Sequence, residues 1–252
     1  MLPAEARLEP LLAKAHDLAR QATTLAGTRV PPELRTLLRS MNSYYTNRIE
    51  GQHTRPHEIE EALRRDFSRN ADLAARQRLA VAHIEAETAL ETRYQGDEGA
   101  LALYSTEAVQ DLHRELFARL PAKDLLTSEE EPVVPGQLRK REVRVGQHVP
   151  PTHGSLPAFL ERWGTFYRGV RRGEAALIAL AAAHQRLGWI HPFVDGNGRV
   201  MRLHTHTMLS ALGYTGDSGR PCVVLRATRS ATTPCWPTQT HRAAATWTAA
   251  GT

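Results

Sequence analysis

The sequence predicts an all-α fold interrupted by one short β-hairpin flap. Three observations carry that expectation. Apolar residues recur at helical spacing through most of residues 1–213. Prolines and glycines stand where those stretches should begin and end. Only Pro135 to Pro151 breaks the pattern, with Val143 and Val145 alternating with charged residues between Gly136 and Gly146, as in a hairpin.

The first helix is predicted over Leu2 to Ala26, amphipathic and stopped near Gly27. Pro31-Pro32 is a start signal, since a proline in the first turn gives up no intrahelical N–H bond. Leu34, Leu37, Leu38 and Met41 follow at helical spacing, and this second helix runs to Ile49 with Gly51 as its stop. Further helices fit Pro56 to Arg65, Asn70 to Tyr94, Thr106 to Leu120, Leu156 to Arg171 and Glu174 to Trp189. A last one begins inside the Gly-Asn-Gly-Arg stretch and continues to Leu212, ending at Gly213. No repeat or low-complexity linker interrupts residues 1–213. The expected organisation is an N-terminal helical region (1–95), a core (96–215) carrying the flap (about 135–151), and an atypical tail (216–252).

A chain of 252 residues is long enough to bury a proper core. It has no apolar run of the roughly 18 or more residues that a membrane-spanning helix needs. Met1 to Arg20 carries Glu, Arg, Lys and Asp where a signal peptide would be apolar, so a soluble, cytoplasmic protein is expected. Only Lys14, Lys123 and Lys140 are lysine among the 32 basic residues, a bias that fits a GC-rich bacterial gene.

The tail departs from everything before it. Residues 218–252 contain no Asp, Glu or Lys, and Thr and Ala make up 15 of the 35. Cys222, Cys235, Trp236 and Trp247 lie here with no helical or strand period to bury them. We expect an out-of-frame translation. Because Trp has a single codon, Trp236-Pro237 read from each third base spells Leu-Ala, and Trp247-Thr248 forces Asp, as in an amphipathic helix. Setting aside Arg220, Arg226, Arg229 and Arg242 leaves 28 basic against 27 acidic residues, so the formal +5 is no argument for nucleic-acid binding. The two thiols imply neither a disulfide framework nor a zinc site.

The richest chemistry is in residues 191–202, His-Pro-Phe-Val-Asp-Gly-Asn-Gly-Arg-Val-Met-Arg. His191 titrates near neutrality and is the candidate base. Asp195 offers a hard oxygen for Mg²⁺, which usually takes one or two carboxylates together with substrate phosphates. Gly196 and Gly198 let backbone N–H groups converge as an anion nest at a helix start, and Asn197 adds a side-chain amide. Arg199 and Arg202 share a helix face and can fork onto phosphate oxygens. Phe193 is expected to anchor the loop, and Pro192 to stiffen it. Alone, each element is commonplace; at this fixed spacing they specify a phosphate-handling site. His184, His204 and His206 show no metal-ligand spacing and read as ordinary.

The run resembles the Fic (Fido) family motif HPFxDGNGRxxR at every specified position. The resemblance implies a helical Fic core and a protein adenylyltransferase activity: His191 deprotonates a Tyr, Thr or Ser hydroxyl of a target protein, which attacks the α-phosphate of ATP and expels pyrophosphate. Asp195 would hold Mg²⁺, Gly196-Asn197-Gly198 would cradle phosphates, and Arg199 and Arg202 would neutralise the β/γ end. The hairpin, with Gly136, Arg139, Arg141, Val143 and Val145, would be the flap that pairs by backbone with an extended target segment. Thr46-Asn47-Arg48-Ile49-Glu50-Gly51 fits the family's inhibitory-helix pattern (S/T)xxxE(G/N). Its implied role is that Glu50 occupies Arg202 and turns ATP into an unproductive pose.

The resemblance covers about residues 30–213; longer relatives continue with more helices and often a winged helix. Implied partners are ATP, Mg²⁺ and a hydroxyl-bearing target, with self-modification and a homodimer as further expectations, no membrane, and nucleic acid only through a missing C-terminal domain. Alternative readings are AMP removal assisted by Glu50, a truncated ATP-binding or interaction module, and a DNA-associated regulator.

Overall fold

A computed structural model describes residues 5–26, 31–127, 129–169 and 173–215. The expectations about the tail, including its cysteines and tryptophans, lie outside the described residues. Helices α1 (Glu5–Ala26), α2 (Pro32–Ile49), α3 (Pro56–Leu63) and α4 (Ala71–Arg93) precede α5 (Gly96–Ala102) and α6 (Thr106–Phe117). After the flap come α7 (Leu156–Arg168), α8 (Gly173–Ile190) and α9 (Asn197–Ala211). The fold is all-α. No described helix is long and apolar enough to cross a membrane.

Local signals explain the boundaries. Asn70 caps α4 by accepting the Leu73 N–H at 3.0 Å, and Ser105 caps α6 by accepting that of Ala108 at 3.1 Å. At the end of α2, Gly51 has φ +80°, and the bonds Gly51 N–H to Arg48 C=O and Gln52 N–H to Asn47 C=O close a Schellman motif. The helix therefore ends immediately after Glu50.

α8 is apolar nearly all round and runs through the centre, flanked by α1, α7 and α9; α4 packs on α2, α3, α6 and α9. Leu156, Leu160, Trp163 and Tyr167 make one buried face of α7, and Val109, Leu112 and Leu116 one of α6. Each such side chain contributes about 1.5–3 kcal/mol by burial. The Trp163 indole N–H donates to the Ala183 carbonyl at 3.0 Å, so its polar end is satisfied. His184 is half-buried and His204 fully buried, with partners at the Thr205 hydroxyl and the Leu103 carbonyl.

The structure differs from the sequence expectation in three places. The seven-residue α5 was not anticipated, because Gly96 and Gly99 weaken its helical pattern; Ala100 and neighbouring Leu103 bury it. Among the described apolar side chains of α2 only Leu38 is buried, while Leu34 and Leu37 stay exposed. Polar groups hold this helix instead: Asn42 Nδ2 reaches the Glu87 carboxylate at 3.2 Å, the Ser43 hydroxyl donates to Ala80 C=O at 2.8 Å, and Arg39 donates to Glu91 at 2.5 Å. Third, the flap contains no strand ladder among the described residues, only a single antiparallel bridge, Val145 with His148, across Gly146 and Gln147. Pro132, Pro135, Pro150 and Pro151 withhold donors there, and the Arg139 N–H is spent on Pro192 C=O at 2.9 Å.

Candidate functional site

The loop 191–196 joins α8 to α9, and the sequence shapes it from inside. Phe193 is fully buried. Its N–H donates to Asn197 Oδ1 at 2.9 Å and its carbonyl accepts from Asn197 Nδ2 at 2.8 Å. The Asn197 side chain thus closes the loop through its oxygen and one of its two amide hydrogens. Gly196 sits at φ +78°, and a Cβ there would overlap the Phe117 ring, so a side chain is excluded both by backbone and by space.

His191 adopts φ +51°, uncommon for a non-glycine residue. Its N–H donates to Leu187 C=O at 3.1 Å and its carbonyl accepts from Arg139 Nε at 2.9 Å. Burial pulls its imidazole down to about 4; Arg139 and His148 nearby add to this, against a Gly188 backbone hydrogen bond and Glu50. The ring is therefore neutral at physiological pH and able to accept a proton. A negatively charged triphosphate beside it would raise its basicity toward neutrality.

The two arginines are both engaged. Arg199 Nη2 lies 2.8 Å from Asp195 Oδ2, and its guanidinium stands over the Phe117 ring at 5.1 Å. Arg202 donates from Nε to the Thr46 hydroxyl at 2.7 Å, from Nη2 to Thr46 C=O at 3.2 Å, and from Nη2 to Glu50 Oε1 at 2.5 Å. A methyl group built on Gly198 would overlap the Glu50 carboxylate, so that carboxylate rests over the first turn of α9, where N–H groups and the helix dipole favour an anion. Thr46, Glu50, Gly198 and Arg202, separated by some 150 residues of chain, form one cluster.

The flap residues divide. Gly136 and Arg139 are buried anchors. The Arg139 side chain is 0% exposed and also donates to the carbonyls of Arg141 at 2.8 Å and Pro151 at 2.5 Å, so it anchors the flap and is not one of its solvated cations. Arg141 pairs with Glu131 and Glu129, Val143 is half-buried, and Val145 is exposed on the turn.

Sequence reasoning missed two clusters. His113 of α6 contacts both the flap and the motif loop; a histidine one helical turn from Val109 on a core-facing stripe was the available signal. Glu87, Glu91 and His206 converge with ligand-like spacing. Arg39 lies 2.5 Å from Glu91 and 3.9 Å from Glu87, and His206 lies 2.6 Å from Glu91. Two carboxylates facing a guanidinium and an imidazole can balance their charges without a metal, so this cluster reads as an internal network fastening α2 to α4 and α9.

The Fic/DOC family model matches residues 103–209, the span from the end of α5 through nearly all of α9. That span is similar to the Fic/DOC family. Over 120 residues (47% of the chain) it is 33% identical to the protein adenylyltransferase Fic of Drosophila mojavensis, and over 107 residues (42%) it is 35% identical to that of Drosophila virilis. The match spans only 24% and 20% of those relatives. Among solved structures, a Fic family protein from Desulfovibrio desulfuricans G20 shares the fold with a TM-score of 0.61 at 19% identity, covering 88% of this chain and 66% of that one. A Fic-1 fragment from C. elegans gives 0.60 at 20% identity, covering 89% and 63%. The matched span thus contains the motif loop and the flap, while α2, with Thr46 and Glu50, precedes it.

Proposed function

We propose that this chain is a protein adenylyltransferase that moves AMP from ATP to a Tyr, Thr or Ser hydroxyl of a target protein, and that Glu50 restrains it at rest. The observation that carries the reading is the single cluster of a neutral His191, the α9 N-terminus and two arginines, with a carboxylate lying where a phosphate would bind.

The mechanism follows from these groups. The target hydroxyl gives its proton to His191 while its oxygen attacks the α-phosphorus; the bond to the bridging oxygen breaks and pyrophosphate leaves. Backbone N–H groups of residues 196–198 and the Arg199 and Arg202 guanidinia stabilise the charge that develops, the principal means of catalysis in phosphoryl-type transfer. The half-exposed Asp195 carboxylate, with only Oδ2 on Arg199, fits a hard cation and would hold Mg²⁺, which supplies charge neutralisation on the phosphates. Arg202 is required at the phosphates and is held by Glu50 and Thr46 instead, so transfer requires that the pair open. The exposed backbone of residues 144–147 offers a target segment main-chain pairing with little demand on sequence.

The test is transfer of label from α-labelled ATP, with Mg²⁺, to proteins of a lysate and to the chain itself. The Glu50→Gly protein should label; adding His191→Ala should lower labelling at least about 100-fold, the low end for a positioned base. Equal labelling by the two proteins overturns the assignment. A second reading, hydrolytic AMP removal, is favoured by the reach of Glu50 over Gly198, where it could orient water. Release of AMP from a modified target by the parent but not by Glu50→Gly would select it.

A further inference from the structure

One buried titratable side chain touches both halves of the proposed machinery without belonging to either. His113 is 1% exposed on α6. Its Nδ1 receives the Gly136 N–H at 2.8 Å, and its Nε2 lies 3.3 Å from the Asp195 carbonyl oxygen. An N–H can be met only by a lone pair, so Nδ1 is unprotonated and the neutral ring carries its proton on Nε2, where it donates to Asp195. The ring is clamped flat: it stacks on Phe193 at 4.0 Å and 21°, and lies 4.6 Å from the ring of Phe117. One turn earlier on α6, Gln110 Nε2 donates to the Gly136 carbonyl at 2.8 Å. Both polar groups of residue Gly136 are thus held by the same rigid helix that holds the loop at Asp195.

We propose that His113 is a positioning residue that fixes the register of the flap against the motif loop. The proposal rests on the AMP-transfer reading, because it matters for catalysis only if the flap presents a hydroxyl to a nucleotide on the loop. In such a reaction, a displacement of about 1 Å between nucleophile and phosphorus can cost 100-fold in rate. The flap has no strand ladder of its own among the described residues, so its distance from the phosphates is set by its anchors. Arg139 ties its middle to the His191 and Pro192 carbonyls, and His113 ties its start to Asp195. A leucine at this position would fill the same space and bond to neither side.

The test separates the two bonds in the Glu50→Gly background. His113→Gln retains a donor near the Nε2 position but no acceptor at Nδ1; His113→Asn retains an acceptor near Nδ1 but no reach to Asp195. For His113→Gln, the affinity for Mg²⁺-ATP should stay within about twofold of the parent while Gly136 amide exchange accelerates about three- to tenfold, the loss of one net hydrogen bond. Its self-labelling rate should fall at least about tenfold. For His113→Asn, Gly136 should stay protected and ATP affinity should fall. Equal loss of ATP affinity and rate in both variants, or parental Gly136 exchange in His113→Gln, overturns the proposal. In the unsubstituted protein, ¹⁵N resonances of His113 should report the Nε2–H tautomer, and an Nδ1–H tautomer overturns it even if a variant fails to fold. If the Glu50→Gly parent does not label at all, the AMP-transfer reading fails, while exchange, tautomer and ATP affinity still test the bridge.

Discussion

Replacing Glu50 with glycine should raise AMP transfer by a definite, moderate factor. The carboxylate makes one charge-assisted hydrogen bond to Arg202, at 2.5 Å. Such bonds contribute about 1.5–3 kcal/mol when well shielded. Arg202 is 8% exposed but Glu50 is 34% exposed, so water and salt screen one end of the pair. Discounting for that leaves about 1–2 kcal/mol, a five- to thirtyfold shift toward the open state. Thr46 keeps two further bonds to Arg202, at 2.7 and 3.2 Å, so Thr46→Val in the Glu50→Gly background should add a smaller increment. The assay is the initial rate of label incorporation from α-labelled ATP at fixed Mg²⁺. A second readout is salt: raising ionic strength should lift the parent rate relative to Glu50→Gly, because only the parent contains the screened pair. A Glu50→Gly rate equal to that of the parent, in protein whose labelling still depends on His191, would refute the reasoning.

Three further outcomes follow from the geometry. Burial raises Glu87 to about 7, and His206, although burial lowers it, is raised overall by Glu87 and Glu91. Both folded values exceed their unfolded counterparts near 4.5 and 6.5, so their stabilisation is complete at acid pH; that of Glu87 is lost as pH rises through about 7, and that of His206 as pH rises through its own raised value. Glu91 is lowered overall by His206 and Arg39 against its burial, and contributes in the opposite sense, losing its stabilisation as pH falls through its folded value. Thermal unfolding should thus peak in mildly acidic buffer and decline toward pH 8, and Glu87→Gln should flatten that alkaline decline; an unchanged slope contradicts it. Arg139→Ala should cost at least about 2 kcal/mol by stranding the carbonyls of His191, Arg141 and Pro151, and Arg139→Lys should not restore it, since one ammonium cannot span three acceptors; a melting temperature within a degree or so of the parent contradicts this. Gly196→Ala should abolish transfer and destabilise the fold because its Cβ meets Phe117, whereas Gly51→Ala, equally left-handed but facing open space, should cost only about 1 kcal/mol; comparable melting temperatures would reverse that ranking.

Periodicity and helix punctuation made most of the helices legible, and His191 to Arg202 was readable because its chemistry is contiguous in sequence. Gly51 was legible for the same local reason: a helix that must end after Glu50 needs a left-handed residue there. What was not legible depends on which helices cross. His113 and Asp195 are 82 residues apart, and nothing near either one names the other. Arg139 looked like one more cation in a basic stretch until its three carbonyl partners were in place. Asn197 looked like a donor for a ligand, yet the Phe193 backbone takes both ends of its amide. The Glu87–Glu91–His206 network was hidden because its carboxylates lie on one helix and its imidazole on another, with no shared period.

Two helices hold the motif, residues 191–202, and the kinds of bonds they use differ. α6 holds it through buried hydrogen bonds and ring stacking around His113 and Phe117, which salt and solvent barely reach. α2 reaches it through a residue at its own frayable end. Asn42 and Thr46, two turns and one turn earlier, are buried at 0% and 1%, whereas Glu50 is the C-cap and its carboxylate is partly solvated. On the proposed reading, releasing Arg202 therefore requires only that the last turn of α2 open, while the Arg39 and Asn42 contacts to α4 stay closed. An ATP triphosphate entering over Gly198 would compete for one arginine with the Glu50 carboxylate and with the Thr46 hydroxyl and carbonyl, all within the last turn of α2, and would not have to lift the whole helix. On that reading the restraint would answer to nucleotide concentration and ionic strength without loss of the fold.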